Sequence, residues 1–171
     1  MDLFQSRMEV LAFLDKIAIP YEYHEHERAH TIEDCLKMSF ITSDVTICRN
    51  ILLCNRQQTA HYLLLLRPHT PFRTSVVSKL LGSSRLSFAP VDTLEEKLHL
   101  TSGSVSPLGL LFDKDKQIKL CYEDAVRATP RIAFHPCDNS ATVIFDQAIF
   151  FEQVIPVLEI EPVCLSLGEN D

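Results

Sequence analysis

The sequence of 171 residues lacks several features that mark common functional classes. Its six cysteines form no Cys-x-x-Cys pair, which argues against a zinc site or a redox pair. The longest apolar runs, such as residues 63–66, are far too short to span a bilayer. The N-terminus has no basic start followed by an apolar block, as a secretion signal would. We therefore expect a cytoplasmic protein with reduced thiols, no metal, no cofactor and no membrane partner.

Acidic residues are missing from one long segment, although the net charge of the chain is -7. From Val45 to Val91 there is no Asp or Glu, and six Lys or Arg residues give the segment a formal charge of +6. The rest of the chain carries 10 basic against 23 acidic residues. Such a molecule can approach a nucleic acid with one face and repel it with the others. Alternatively, the six cations are solvated and scattered over the surface.

Hydrophobic spacing predicts a single α+β domain over residues 1–171 with a mixed, largely antiparallel sheet. Phe4, Met8, Leu11 and Leu14 predict an amphipathic N-terminal helix, and Thr31 begins a short helix with Asp34 in a partial capping box. Further helices are predicted over residues 75–81, 93–98 and 148–154. Strands are predicted over residues 47–53, 62–66, 85–89, 108–112, 118–122, 131–134 and 142–145, with a hairpin turn at 113–116 and a frayed tail over 162–171.

Two of the four glycines lie in one short segment, Thr101–Gly109. A glycine followed by hydroxyls and a proline makes a tight loop with exposed backbone N–H groups. Such a loop can hold a carbonyl oxygen or a developing oxyanion. The same composition is also typical of an ordinary turn between a helix and a strand.

Two further segments place polar residues where a pocket can open. His135 and Asn139 lie between two predicted strands and are candidates to orient a ligand or a water, although a single histidine is often structural. Arg49 and Asn50 interrupt an apolar strand, which is costly unless they are paired or face a cavity. The alternative is an edge strand with Arg49 in solvent. The sequence specifies no Ser/His/Asp or Cys/His triad.

Taken in order, these segments resemble the YbaK/ProX family of aminoacyl-tRNA editing domains, and most of all its ProX branch. The resemblance spans His30 to Thr142 and is carried by residues 48–53, 82–89, 103–109 and 135–142. It implies a barrel-like sheet surrounded by helices. It also implies a deacylase for mischarged tRNA, with alanine on the tRNA for proline as the usual substrate.

The residues and the resemblance together indicate three sets of functional positions. The catalytic set is Arg49, Asn50, Gly103, Ser104 and His135. The substrate pocket is formed by Thr31, Val105, Ser106, Pro107 and Asn139. The tRNA-binding cations are Arg67, Arg73, Lys79 and Arg85.

The expected partner is the aminoacylated acceptor end of a tRNA, with prolyl-tRNA synthetase as a further candidate and no DNA. Arg49 is a departure, because the family usually carries lysine there, and arginine is bulkier with a rigid fork of donors. Three alternatives stay open. They are a non-catalytic module that binds or senses aminoacyl-tRNA, an editor of serine, threonine or cysteine, and a hydrolase of small aminoacyl esters. Editing requires that Arg49, Asn50 and the Gly103 turn converge on one cavity.

Overall fold

The structure is a computed structural model that describes residues 2–100 and 102–167. Its helices are α1 (Leu3–Lys16), α2 (Ile32–Leu36), α3 (Thr74–Leu81), α4 (Val91–Leu98) and α5 (residues 147–157, π-helical over Phe150–Val154). Short 3-10 helices cover Ser102–Ser104, Pro107–Phe112 and Asp124–Ala128. The strands are β1 (Glu22–Glu25), β2 (Val45–Ile47), β3 (Arg49–Cys54), β4 (His61–Leu66), β5 (Ser87–Phe88), β6 (Ile118–Glu123), β7 (Arg131–Phe134), β8 (Ala141–Asp146) and β9 (Val163–Leu165).

The strands form two mixed sheets with the orders β1-β8-β7-β2 and β5-β3-β4-β6-β9. The pairs β2–β7, β4–β6 and β6–β9 are parallel, and the other pairs are antiparallel. This confirms the α+β prediction. Within the described residues the strands form two separate sheets with open edges, so the barrel-like sheet implied by the resemblance is not closed. The chain leaves the first sheet after β2 and enters the second with β3. Cys48 lies at this crossing.

The central strand β4 explains the run of four leucines at residues 63–66, which are all fully buried. Leu63 and Leu65 pack into the larger core cluster with Val10 and Leu14 of α1. Leu64 and Leu66 point to the opposite face and join a second cluster, which includes Val77 of α3. A strand that is covered on both faces favours a continuous apolar run over an alternating one.

The N-terminal helix forms as predicted, but a different face of it is buried. Its buried residues are Ser6, Val10 and Leu14, which recur every four positions. Phe4 and Met8 are 56% and 49% exposed. The prediction that Phe4 and Met8 belong to the buried face of this helix was therefore wrong. The small side chain of Ser6 faces the core at this end of the helix instead of a large apolar one. No helix within the described ranges combines the length and the apolarity needed to cross a bilayer.

Capping residues fix two predicted helices. The Thr31 side chain accepts a hydrogen bond from the Asp34 N–H at the start of α2, and the reciprocal bond completes the capping box. Gly82 ends α3 in the left-handed conformation, with a φ of +64°. Both features match the predictions from sequence.

The structure corrects four other predictions. Residues 108–112 form a 3-10 helix instead of a strand, because Pro107 starts a helical turn and the Ser106 hydroxyl accepts the Leu108 N–H at 3.1 Å. The turn that follows therefore joins a helix to β6 and is no hairpin. The strand predicted over 85–89 is only two residues long. Val163–Leu165 pairs with β6 instead of fraying, whereas residues 168–171 lie outside the described part.

Candidate active site

A cleft of about 130 Å³ opens where the chain crosses from one sheet to the other. Its walls come from the start of α2, the crossing between β2 and β3, the turn at Gly103 and the end of β7. The Cys48 N–H donates to the Ala133 carbonyl at 3.3 Å, which fixes the crossing against β7. Six of the residues predicted from sequence line the cleft: Thr31, Arg49, Asn50, Gly103, Val105 and His135.

Arg49 lies half-buried at the cleft and is held by the backbone of a neighbouring loop. Its two Nη atoms donate to the carbonyls of Pro68 at 3.3 Å and Thr70 at 3.0 Å. Its Nε is buried and has no hydrogen-bond partner in the described part of the chain. Burial lowers the pKa of the guanidinium, which Glu123 partly offsets, and arginine stays charged. A fixed positive charge with one free donor therefore stands at the cleft.

Glu123 anchors the loop that holds Arg49, and sequence reasoning missed it. Its carboxylate is fully buried and accepts hydrogen bonds from the Arg67 backbone N–H at 3.0 Å and from Arg67 Nη2 at 2.7 Å. The Thr70 hydroxyl lies 2.8 and 2.9 Å from the two carboxylate oxygens. Burial alone would raise the pKa of Glu123, but the bonds from Arg67 and Thr70 lower it overall. An isolated acid at the end of an apolar strand carries no local signal of this contact.

Asn50 connects β3 to the glycine turn. Its Nδ2 donates to the Val105 carbonyl at 3.0 Å, across 55 positions of sequence. Its Oδ1 is buried without a partner among residues 2–100 and 102–167. A buried amide oxygen without a partner costs about 1–3 kcal/mol unless a ligand or a water satisfies it. Asn50 lines the cleft, and its buried Oδ1 is an acceptor that no described residue uses.

Gly103 lies close to the side chain of Asn139. A Cβ at position 103 would lie 3.3 Å from Asn139 Nδ2, closer than ordinary van der Waals contact. The Asn139 amide is itself held in place, since its Oδ1 accepts from Arg28 at 2.7 Å and its Nδ2 donates to the Ala29 carbonyl at 3.0 Å. The structure therefore places Asn139 behind the turn as a support, and not among the residues that line the cleft.

Three other predicted residues also lie in the wall behind the cleft. Ser104, Ser106 and Pro107 are buried, and none of them lines the cleft. The Ser106 hydroxyl is used as a cap for the 3-10 helix. These side chains shape the turn, and the groups that the turn presents to the cleft belong to Gly103 and Val105.

His135 lies in the cleft wall as a neutral imidazole. Its Nδ1 is 2.8 Å from the Ala141 carbonyl, so this nitrogen carries the proton and Nε2 is an acceptor. Burial lowers the pKa of His135. Nε2 lies 3.6 Å from the Cys35 sulfur, and burial together with Asp34 raises the pKa of that thiol to about 11. A protonated thiol is a poor nucleophile, so this pair is not poised for covalent catalysis.

The four predicted tRNA-binding cations separate into two groups. Arg67 is committed to Glu123, although its side chain remains 49% exposed. Arg73 is exposed just before α3, Lys79 is exposed on it and Arg85 is exposed after it, and none of the three forms an ion pair with any described residue. No group of three or more metal-ligating side chains occurs in the described residues.

The chain is similar to a known family of domains and to individual known proteins. The family model for the aminoacyl-tRNA editing domain matches residues 26–150. The chain is 33% identical over 139 residues to the prolyl-tRNA editing protein ProX of Acetoanaerobium sticklandii, covering 81% of this chain and 84% of that protein. It is 28% identical over 140 residues to the prolyl-tRNA synthetase associated domain-containing protein 1 of Danio rerio, covering 80% and 74%.

A solved structure shares the fold. It belongs to a candidate trans-editing enzyme for prolyl tRNA synthetase, with a TM-score of 0.72, 13% identity and coverage of 95% of this chain and 98% of that one. At that identity the match concerns the fold alone. The family model covers well over half of the chain and includes every residue that lines the cleft. The protein is therefore a member of the aminoacyl-tRNA editing domain family.

Proposed function

We propose that this protein hydrolyses the ester bond of mischarged aminoacyl-tRNA, with alanyl-tRNA for proline as its substrate. The observation that carries the proposal is the convergence of Arg49, Asn50 and Gly103 on one cleft, across more than 50 positions of sequence. The relative at 33% identity is a prolyl-tRNA editing protein, which favours proline tRNA among the alternatives.

The groups at the cleft match the parts of an aminoacyl ester. The α-amino group is a cation with N–H donors, and Asn50 Oδ1 is an acceptor that none of the described residues uses. Backbone N–H groups of the Gly103 turn are candidates to bind the carbonyl oxygen and the oxyanion that develops on it. The charge of Arg49 favours the ribose-phosphate end, and its Nε makes no hydrogen bond within residues 2–100 and 102–167.

The attacking group in this proposal is water, held by the ribose hydroxyl next to the ester. His135 Nε2 can also hold it once the nitrogen exchanges its 3.6 Å contact with the Cys35 thiol for the water. Water adds to the ester carbonyl, and the tetrahedral intermediate releases the ribose oxygen, which takes up the proton. No protein nucleophile is needed, which agrees with the raised pKa of the Cys35 thiol.

Selection between amino acids follows from the size of the cavity. One methylene is worth only about 1–3 kcal/mol in an apolar pocket, so a synthetase cannot reject a smaller amino acid by fit alone. A cleft of about 130 Å³ favours small side chains over larger ones. Serine, threonine and cysteine are therefore the competing substrates that an assay must include.

A deacylation assay over a panel of charged tRNAs tests the proposal. We expect turnover of alanyl-tRNA for proline and none of prolyl-tRNA. Asn50→Ala should lower kcat/KM by about 10- to 100-fold, since a hydrogen bond to a charged group is worth about 1.5–3 kcal/mol. Asn55→Ala is the matched control, because it removes the same amide from an exposed turn that follows β3. Equal activity of the two variants would contradict the role of Asn50.

Gly103→Val tests the turn separately. The added side chain meets Asn139 and must displace the turn or enter the cleft. We expect a loss of at least tenfold in kcat/KM with an unchanged circular dichroism spectrum. Unchanged turnover would remove this turn from the mechanism.

The exposed cations near α3 are proposed to contact phosphates of the acceptor end. Each phosphate contact that is lost should lower the slope of log K against log salt by about one unit. Lys79→Glu and Arg85→Glu should weaken tRNA binding and reduce this slope, whereas Lys114→Glu, in the turn before β6, should not. Unchanged affinity of the first two variants would contradict a phosphate-binding surface at this place.

One observation favours a second candidate, a module that binds aminoacyl-tRNA without hydrolysing it. Both Nη atoms of Arg49 are occupied by backbone carbonyls, so this arginine is less available than a lysine would be. The same panel separates the candidates, because a binding module retains charged tRNA on a filter without releasing the amino acid.

A further inference from the structure

The N-terminal helix α1 contacts the chain at two places around the Gly103 turn. The Ser6 hydroxyl donates a hydrogen bond to the His99 carbonyl, just before the turn, at 3.5 Å. The next residue of the helix, Arg7, reaches the segment behind the turn, where its Nε lies 3.6 Å from Asp138 Oδ2. The family model begins after the end of α1, so membership of the family does not by itself imply these contacts.

The ion pair between Arg7 and Asp138 is buried. The Arg7 side chain is 11% exposed and the Asp138 side chain is 3% exposed. Arg7 Nε is buried and makes no hydrogen bond within the described ranges, and 3.6 Å is longer than a good hydrogen bond. Two buried charges recover their cost of desolvation only when their geometry is excellent. The pair is therefore a poor source of stability, which favours a role in fixing the position of the Asp138 segment.

Asp138 connects Arg7 to the residue that supports the turn. Asp138 Oδ1 accepts hydrogen bonds from the Ser140 N–H at 3.0 Å, from the Ser140 hydroxyl at 2.8 Å and from Arg28 Nη1 at 3.2 Å. The same Arg28 nitrogen donates to Oδ1 of Asn139, whose Nδ2 lies against Gly103. A displacement of the Asp138 carboxylate is therefore passed to the Gly103 turn through one neighbouring residue.

The position of this turn matters most in the transition state. Its backbone N–H groups are the proposed donors to the oxyanion, and such donors act only over a narrow range of distance. A displacement of about 1 Å can lower a rate by about 100-fold. Because the oxyanion forms only after water has added to the ester, these donors stabilise the transition state more than the bound substrate. A residue that positions them should therefore affect kcat and leave KM nearly unchanged.

We propose that Arg7 is a positioning residue for the hydrolysis, and that it fixes the Gly103 turn through Asp138. This role rests on the proposed function. It makes the N-terminal helix, which lies outside the region matched by the family model, a part of the support of the active site.

Steady-state deacylation of alanyl-tRNA for proline tests this role with two variants of Arg7. Arg7→Met keeps the long apolar stem and removes the charge, so kcat should fall by about tenfold while KM changes by less than about twofold. Arg7→Lys restores a cation and should recover most of kcat. Arg127→Met is the matched control, because Arg127 also lies 3.6 Å from an acid and 4.8 Å from the centre of an aromatic ring, compared with 5.1 Å for Arg7 over Phe4. Arg127 does not line the cleft, and its replacement should leave kcat unchanged.

Two further variants separate positioning from general destabilisation. Val10→Ala removes a fully buried side chain of α1 and should lower the free energy of unfolding without a change in kcat well below the melting temperature. In the Asp138→Asn background, Arg7→Met should have no further effect on kcat, because both changes remove the same contact. Equal losses of kcat in Val10→Ala and Arg7→Met would refute positioning by Arg7.

Backbone amide NMR of the free protein makes the test independent of hydrolysis. The chain has only four glycines, which simplifies assignment of the Gly103 signal. Arg7→Met should shift this signal and leave that of Gly82, at the end of α3, unchanged. The role of Arg7 is refuted if Arg7→Met and the wild-type protein share one kcat. A shifted Gly103 signal without any deacylation by the wild-type protein would refute the proposed function and leave the coupling of Arg7 to the turn standing.

Discussion

Replacing Glu123 with glutamine tests whether one buried carboxylate holds the loop behind Arg49. Glutamine keeps the shape of the side chain but removes its charge. Glu123 is fully buried, whereas the side chain of its partner Arg67 is 49% exposed and can return to solvent. Hydrogen bonds to a charged group contribute about 1.5–3 kcal/mol, and the exposure of Arg67 reduces the contribution of the ion pair. We therefore expect a loss of about 2 kcal/mol in the free energy of unfolding.

Chemical denaturation measures this loss directly, and the melting temperature should fall by about 4–8 °C for a chain of this length. The effect should depend on pH, because the bonds from Arg67 and Thr70 outweigh burial and keep the pKa of Glu123 below its ordinary value of 4.5. A lowered pKa stabilises the fold above the unfolded-state value, and this stabilisation is lost as the pH falls through the folded-state value. The difference in the free energy of unfolding between the wild-type protein and Glu123→Gln should therefore become smaller in acid.

Glu152→Gln provides the control, since Glu152 is 67% exposed and lies 3.6 Å from Arg127. Exposed ion pairs of this kind contribute less than about 1 kcal/mol. Because the Pro68 and Thr70 carbonyls hold Arg49, Glu123→Gln should also lower kcat/KM for deacylation while Glu152→Gln leaves it unchanged. The reasoning is refuted if both variants unfold with the same free energy.

Three further predictions concern single side chains. Arg49→Lys should lower the free energy of unfolding by about 1 kcal/mol in chemical denaturation, because an ammonium group cannot reproduce the contact of the guanidinium with two carbonyls. An unchanged stability would show that these contacts contribute nothing. Cys164 is the one exposed cysteine and should give the one fast phase of thiol labelling, which Cys164→Ser should abolish. Burial lowers the pKa of His135, so the unfolded chain takes up the proton first as the pH falls below 6.5. The free energy of unfolding should decrease in that range, and less steeply in His135→Gln.

Local patterns predicted much of the architecture. The capping box at Thr31, the glycine that ends α3 and the four-leucine strand β4 were each predicted from a few neighbouring residues. One exception also has a local cause, and another depends on packing. Residues 108–112 form an apolar run that suits a strand or a buried helical turn equally, and the cap from Ser106 decides for the turn. On α1, packing of Ser6 against the core exposes Phe4 and Met8.

The sequence by itself determined the residue types of the site. A cation and an amide that interrupt an apolar strand are costly to bury unless they are paired or face a cavity, and a glycine turn rich in hydroxyls can present backbone N–H groups. The same residue types also fit an edge strand and an ordinary turn. Only the tertiary structure decided which of them share the cleft. The bond from Asn50 to Val105, the support of Gly103 by Asn139 and the anchoring of the Arg49 loop by Glu123 join positions more than 35 residues apart. Such contacts depend on how the sheets pack, and no local periodicity encodes them.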